Sequence, residues 1–305
     1  MTGADLTDAG TPSPHALSKA AIARSFGRAS ERYDAAARLQ AVVRDELLSR
    51  LEGLSIEPRV VLDLGAGTGL ATAQLKRRYR KALVVALDLA AGMLRVARRQ
   101  SRFWRPIRCL AGDATRLPLR DASVDVVFSN LRLQWCEGLD AALAEIARVL
   151  KPGGLLLFSS FGPDTLRELR SAWASVDDAV HVNAFIDMHD LGSALQRAGF
   201  SEPVLDVDRH VLRYADAMAL MRELKAIGAQ NANAGRPRAL TGRGRLARLI
   251  EAYERLRSDT GLPATYEVVY GVAWAPASRD RPLTLSAETR VSPDRLREAL
   301  RSRRP

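Results

Sequence analysis

Residues 60–69 read V-V-L-D-L-G-A-G-T-G. Val60, Val61, Leu62 and Leu64 are apolar, Asp63 sits near the end of the run, and glycines stop it abruptly. An apolar run cut off in this way reads as a buried parallel strand entering a tight turn. Gly65, Gly67 and Gly69 supply a backbone that bends sharply and lets a ligand come close. The L-A-T-A-Q-L-K-R-R-Y that follows starts an amphipathic helix. Strand, glycine turn and helix together open an α/β domain that binds a nucleoside or dinucleotide.

The spacing chooses between those ligands. A dinucleotide fingerprint is G-x-G-x-x-G, whose third glycine packs helix on strand. Here the spacing is G-x-G-x-G, and Leu70 stands where that third glycine would be. Asp63, two positions before the first glycine, would repel a pyrophosphate but welcome a cationic ligand. S-adenosylmethionine carries an ammonium and a sulfonium and no phosphate, so these residues favour methyl transfer over hydride transfer.

Composition narrows the class. With 305 residues, 47% of them hydrophobic and 27% charged, the chain has material for a sizeable core and allows one large domain with appendages. No apolar run approaches the length of a bilayer span, and the N-terminus has neither a basic start nor an apolar core of a secretory signal. A cytoplasmic protein is expected, with no membrane partner. Cys109 and Cys136, the two cysteines, make neither a disulfide framework nor a zinc site by themselves, and no metal is expected. The net charge of +11 is uneven: residues 76–108 hold eleven Lys or Arg against Asp88 alone, and residues 236–257 hold seven Arg against two Glu. Such a surface suits an anionic partner, although an arginine-rich composition would produce the same balance with no partner at all.

Along the chain, residues 1–18 carry no periodicity and are expected to be a disordered lead. Residues 19–57 form a helical arm, with Leu39, Val42, Val43, Leu47 and Leu51 on one face and Ile22, Phe26 and Tyr33 sharing another. The main α/β domain is expected over 58–276. Strands are expected at 60–64, 82–88, 107–110, 124–130, 204–213 and 265–274, and L-K-P-G-G-L-L-L-F-S (150–159) reads as a helix end, a Pro-Gly-Gly turn and a fifth strand. Helical segments at about 162–200, begun by a cap at Asp164, and at 214–262 would cover the sheet mouth as lids. Residues 277–305 form a basic tail.

Asp63, Asp88, Asp113 and Asn130 each fall at or near the carboxyl end of a strand, where α/β sheets bind ligands. Any one of them alone reads as structural; four in consecutive units behind a glycine turn read as a site. Asp88 is placed to accept ribose hydroxyls and Asp113 an adenine amino group.

The segments L-D-L-G-A-G-T-G, D-A-T-R-L-P-L and L-K-P-G-G resemble those of class I S-adenosylmethionine-dependent methyltransferases, which implies a seven-stranded Rossmann-like sheet. F-G-R-A-S-E-R-Y-D (26–34), S-N-L-R-L-Q-W-C (129–136), F-G-P-D-T-L-R-E-L-R (161–170), L-K-A-I-G-A-Q-N (224–231) and L-T-G-R (240–243) are similar to the malonyl-acyl-carrier-protein O-methyltransferases of biotin synthesis, the BioC family. The similarity covers roughly residues 20–275. D-T-L-x-E-L-R, L-G-x-x-L-x-R-A-G-F and P-A-T-Y also occur in the mitochondrial complex I assembly factors assigned to protein arginine hydroxylation; the aromatic arm and intact acidic positions fit the BioC family better. The tail after Pro276 departs from both.

The BioC resemblance implies transfer of a methyl group from S-adenosylmethionine to the free carboxylate of a malonyl thioester, on acyl carrier protein or coenzyme A. The resemblance carries the cofactor contacts onto Tyr33, Asp63, Gly65, Gly67, Gly69, Asp88, Met93, Asp113, Ala114 and Asn130. The acceptor carboxylate needs a cation or donor, for which Gln134, His189, Arg222 and Lys225 are candidates by their place in the lids or at the sheet mouth. Arg236, Arg238 and Arg243 are candidates for docking an acidic carrier. A nucleic-acid methyltransferase would carry an N-P-P-Y type sequence where Asn130-Leu131-Arg132-Leu133 stands, so no nucleic-acid partner is expected. A non-catalytic scaffold would have lost the glycines or Asp88, and both are present.

Overall fold

The computed structural model describes residues 17–233 and 241–276. A seven-stranded sheet runs in the order β3-β2-β1-β4-β5-β7-β6. Strands β1 (Val60–Leu64), β2 (Leu83–Asp88), β3 (Arg108–Ala111), β4 (Val124–Ser129) and β5 (Leu150–Phe161) are parallel. β7 (Leu262–Trp274) inserts antiparallel between β5 and β6 (Ser201–Tyr214). Strand order reverses at β1, whose neighbours are β2 and β4, and this opens a crevice at the carboxyl ends of those strands.

Alternate side chains of each central strand feed opposite faces. Val61, Val126, Phe128, Leu155 and Leu157 meet the helices α3 (Arg38–Ser49), α4 (Leu70–Arg78), α7 (Arg167–Ala174) and α10 (Arg243–Glu254). Leu62, Leu64, Val127, Leu156 and Phe158 meet α6 (Leu139–Val149) and α8 (Met188–Arg197). The period of two along each strand sets this three-layer division.

The arm consists of separate pieces rather than a continuous helix. α1 (Lys19–Ala29) and α2 (Tyr33–Ala36) precede α3, so Phe26 and Tyr33 lie on different helices and meet as rings 6.4 Å apart. Gly27 lies backbone to backbone against Gly92 of α5 (Ala91–Ala97); a Cβ on Gly92 would lie 2.6 Å from the Gly27 carbonyl oxygen. Leu17 and Ser18, expected in the lead, are ordered: Leu17 bridges to Asn233, and the Ser18 hydroxyl accepts from the Ala21 amide as the cap of α1.

Local corrections follow from packing. Leu39, Val43, Leu47 and Leu51 are buried as expected, but Val42 is 53% exposed because the stripe of α3 is narrower than the apolar sequence. Asp164 does not cap α7; Leu166 precedes that helix in the left-handed region at φ 56°, and the Asp164 carboxylate lies 3.1 Å from Arg209. Pro152-Gly153-Gly154 does not separate helix from strand. It is an irregularity inside β5, where pairing shifts between Val124 and Val126. The remaining helix, α9 (Ala217–Ala226), starts at the side chain of Asp216, not at Tyr214, which ends β6. The expected basic tail lies outside the described residues, as do Arg236 and Arg238.

Leu47→Ala should lower unfolding free energy by about 2–5 kcal/mol, because its side chain leaves a hole in a closed core. Val42→Ala should change it by less than about 0.5 kcal/mol in the same urea titration.

Candidate active site

The crevice at the strand reversal continues into a partly open cavity between the sheet, the arm and the lids. Its floor is the glycine turn. The Gly65 and Ala66 amides both donate to the Leu87 carbonyl, at 2.8 and 3.0 Å, which ties the end of β1 to the end of β2. Gly65 sits at φ +78°, and a Cβ there would lie 2.4 Å from Cγ of Arg132. Gly67, at φ +54°, has nothing within 4 Å of where its Cβ would be, so the backbone itself faces open cavity. Gly69 does not reach the cavity; it packs α4 against Ala97.

Asp88 ends β2 beside this turn. One carboxylate oxygen accepts from the Gly67 amide at 3.0 Å and the other from the Ala90 amide at 2.8 Å. Burial pushes this carboxyl above its ordinary range, opposed by those amide bonds and by the charge of Arg132. Asp63 lies beneath, 1% exposed, and accepts from the Thr72 hydroxyl at 2.5 Å. Burial first, and then the neighbouring Asp88 charge, push Asp63 up to about 7 despite that hydrogen bond.

The arm closes one side. Tyr33 lines the cavity, and its phenol is pushed well above its ordinary range by burial and by Asp88 and Asp34. Asp34 accepts from the Thr68 hydroxyl at 2.6 Å, joining arm to glycine turn. Asn130 lines the wall with its amide already engaged, donating to the Gln40 carbonyl and accepting from Ser159. Met93 completes this half.

The other half is built by the lids together with β5 and β7. Phe161, Leu169, Phe185, Leu224 and Tyr266 make it apolar, with Phe161 ring-to-ring on Phe185 at 5.6 Å and on Tyr266 at 5.8 Å. Polar groups enter at a few points: Arg132, Gln134, His181, Asn183 and Asn231. His181 stacks on Trp173 at 3.6 Å and holds Asp177 at 2.6 Å. Asn183 accepts from Asn233, and Asn231 donates to the Val180 carbonyl, so a buried amide network fixes this lid. Nη1 of Arg132 is buried with no hydrogen-bond partner among the described residues. Leu131 and Leu166, both on the wall, hold φ of 50° and 56°, a strain tolerated where the surroundings enforce it.

Of the residues expected at the site, Tyr33, Gly65, Gly67, Asp88, Met93, Asn130 and Gln134 line this cavity. Asp63 supports it from below. Asp113 and Ala114 do not line it: Asp113 accepts from Lys19 of α1 at 2.7 Å, and Ala114 is core. Partial burial works against the Asp113 charge, but Lys19 and Thr115 more than offset it and hold the carboxyl below its ordinary range. His189 is exposed at the start of α8, while Arg222 and Lys225 line a separate outer groove. Sequence reasoning missed Arg132, His181 and Asn183, which no periodic pattern marks.

Strand reversal, an open glycine turn and a carboxylate at the end of β2 define a methyltransferase of the class I fold. A methyltransferase-domain family model matches residues 62–158. The fold is shared with the Bacillus subtilis YcgJ protein, at TM-score 0.55 and 17% identity, covering 76% of this chain and 98% of that one. Relatives at higher identity narrow the class. The malonyl-[acyl-carrier protein] O-methyltransferase of Methylovorus sp. is 51% identical over 88% of this chain and 93% of its own length. That of Laribacter hongkongensis is 52% identical over 86% and 91%. The chain belongs to the malonyl-[acyl-carrier protein] O-methyltransferase family.

Asp63 gives a pH test. Its carboxyl titrates near 7 when folded, well above its ordinary 3.8. Between those values the folded state holds the extra proton, so Asp63 costs stability progressively as pH rises from about 4 to about 7 and no further above that. Asp63→Asn should therefore gain on the wild type across that window, by roughly a few kcal/mol, in unfolding titrations at pH 5 and pH 8.

Proposed function

We propose that this protein transfers a methyl group from S-adenosyl-L-methionine to the free carboxylate of a malonyl thioester carried by acyl carrier protein. The product is the malonyl methyl ester that primes pimeloyl synthesis for biotin. The observation that carries this reading is identity of about half to malonyl-[acyl-carrier protein] O-methyltransferases along almost their whole length. The cavity supports it, since one continuous space joins the glycine turn to an apolar pocket with a few polar groups.

The residues present fit the cofactor. Gly67 leaves an uncovered backbone cradle, and each Asp88 oxygen, bound to one amide, keeps a lone pair for a ribose hydroxyl. We assign Tyr33, Gly65, Gly67, Asp88, Met93 and Asn130 to the cofactor wall, with Asp63 and Gly69 holding the turn beneath it. Asp113 and Ala114 act at one remove, Asp113 as the latch for α1 through Lys19. When bound, S-adenosylmethionine supplies a sulfonium methyl that a carboxylate oxygen takes, the carbon–sulfur bond breaking with its electron pair left on sulfur.

The chain's own residues then have a limited task. A malonyl carboxylate, with a pKa of roughly 4 or below, is already ionised at neutral pH, so no general base is required. Positioning and exclusion of water suffice. Phe161, Leu169, Phe185 and Tyr266 exclude water, and Arg132, Gln134, His181 and Asn183 offer the polar contacts that select a free acid. These replace His189, Arg222 and Lys225 as the groups nearest the acceptor.

Labelled S-adenosylmethionine should transfer its methyl to malonyl carrier protein and not to acetyl carrier protein. Label on neither, with cofactor bound, would overturn the proposed acceptor. Asp88→Ala and Gly65→Val should each weaken cofactor binding by about tenfold or more in calorimetry, the first by losing a charged acceptor. The second fails by driving a side chain into Arg132.

A further inference from the structure

Outside the cavity, a groove runs between α1 and the end of α9. Arg24, Arg28 and Arg32 line one side, and Arg222 and Lys225 line the other. All five are exposed, and no acid among the described residues lines the groove. Arg222 has Asp216 at 3.6 Å, whereas no ion pair joins Arg24, Arg28, Arg32 or Lys225 to an acid among the described residues. Arg24 and Arg28 stand four apart on α1, where like charges destabilise a helix. Other arginines in the same region are neutralised: Arg99 holds Glu31, and Arg38 holds Glu223. A cationic groove left unneutralised, in a region otherwise supplied with counter-charges, has the electrostatics of a docking surface.

Its position gives the partner. Ile22, Trp135 and Asn231 line both the groove and the cavity, so one thin wall separates them. That wall belongs to a small apolar cluster of Ile22, Trp135 and Ala232 with Leu17, Phe26 and Ala229, apart from the two large cores. The seam behind it is closed by backbone: the Ser25 hydroxyl donates to the Gly228 carbonyl at 2.9 Å, and a Cβ on Gly228 would lie 3.1 Å from the Phe26 backbone. A substrate thioester on a long arm must be held outside by the part that does not enter. An acidic protein whose arm begins with a phosphodiester presents anions there and an uncharged amide chain beyond them.

We propose that this groove docks the acidic carrier protein and receives the phosphodiester at the root of its prosthetic arm, while the side chains of the small Ile22–Trp135 cluster part to admit the acyl end into the cavity, the backbone seam behind them staying closed. The proposal rests on the function proposed above, because it takes the malonyl carrier as the substrate. Arg222 and Lys225 thus act at the cavity mouth on the carrier, not inside on the malonyl carboxylate.

The test uses the full chain with the substitutions Arg24→Glu, Arg28→Glu and Lys225→Glu together, beside their Arg24→Lys, Arg28→Lys and Lys225→Arg counterparts. Two acceptors are compared: malonyl carrier protein, and malonyl-N-acetylcysteamine, which has neither carrier nor phosphate. The charge-reversed protein should show KM for the carrier substrate raised by about tenfold or more, with its salt dependence flattened. Methylation of the small thioester and cofactor affinity should stay at wild-type values, and the charge-conserving variant should behave as wild type. Unchanged KM for the carrier substrate would overturn the docking groove. An equal loss on both acceptors would overturn it as well, since the defect would then lie in the cavity. Binding of unacylated carrier to the wild type and to the reversed variant, followed by calorimetry, separates the two proposals. Carrier bound by the wild type and lost in the variant, with neither acceptor methylated, would keep the groove and overturn the function. No carrier binding by the wild type would overturn the groove.

Discussion

The carbonyl of Leu87 holds this site together. It accepts from two successive amides, Gly65 and Ala66, and so fastens the turn after β1 to the last residues of β2. With that bond in place Asp88 reaches the Gly67 amide, and Gly67 faces the cavity with bare backbone. Both strands are central and paired on both sides, so their ends are set by the sheet rather than by a loop. The crevice is therefore a property of the core, and ligand contacts built on it inherit the core's rigidity.

That rigidity carries an electrostatic cost. Asp63 and Asp88 are both raised chiefly by burial, and the Asp88 charge raises Asp63 further. A chain that served only as a scaffold would gain by replacing them with apolar residues. Their retention beside the guanidinium of Arg132, whose Nη1 has no hydrogen-bond partner among the described residues, gives the crevice negative and positive groups in one small space. A cofactor that carries an ammonium, a sulfonium and a carboxylate matches such a mixture better than any singly charged ligand does.

α1 is attached by different means from the rest of the arm and the lids, whose helices pack into the two large cores. α1 leans on α5 through the Gly27–Gly92 approach and on the rest through a small apolar cluster. The polar ties of α1 and of the residues just after it are few: Lys19 to Asp113, Glu31 to Arg99, and Asp34 of α2 to Thr68. α3 is tied to α9 by Arg38 and Glu223, and Glu223 also accepts from Tyr214. Exposed ion pairs of this kind add little stability. α1 is thus the part of the cover with only a small apolar cluster behind it, which is where opening is least costly.

The framework of the site was legible in the sequence because its signals are local. The apolar run into Gly65, the acid ending β2 and the succession of short strands each depend on neighbours a few residues away, and the observed strands begin and end within a few residues of the expected ones. Residues carried by such elements, Gly65, Gly67, Asp88 and Asn130, accordingly line the cavity. The acceptor half was not legible, since it is made by segments far apart in the chain. His181 and His189 stand eight residues apart, one in the loop before α8 and one in its first turn, and only packing on Trp173 turns His181 inward while His189 stays in water. Asp113 and Lys19 meet across 94 residues, so a strand-end acid became a latch for α1. Local chemistry alone determined the α/β sheet and the place of its nucleoside crevice. The tertiary structure decided which side chains close over that crevice, because contacts between distant segments follow from how helices pack on the finished sheet, and no short-range pattern in the chain encodes them.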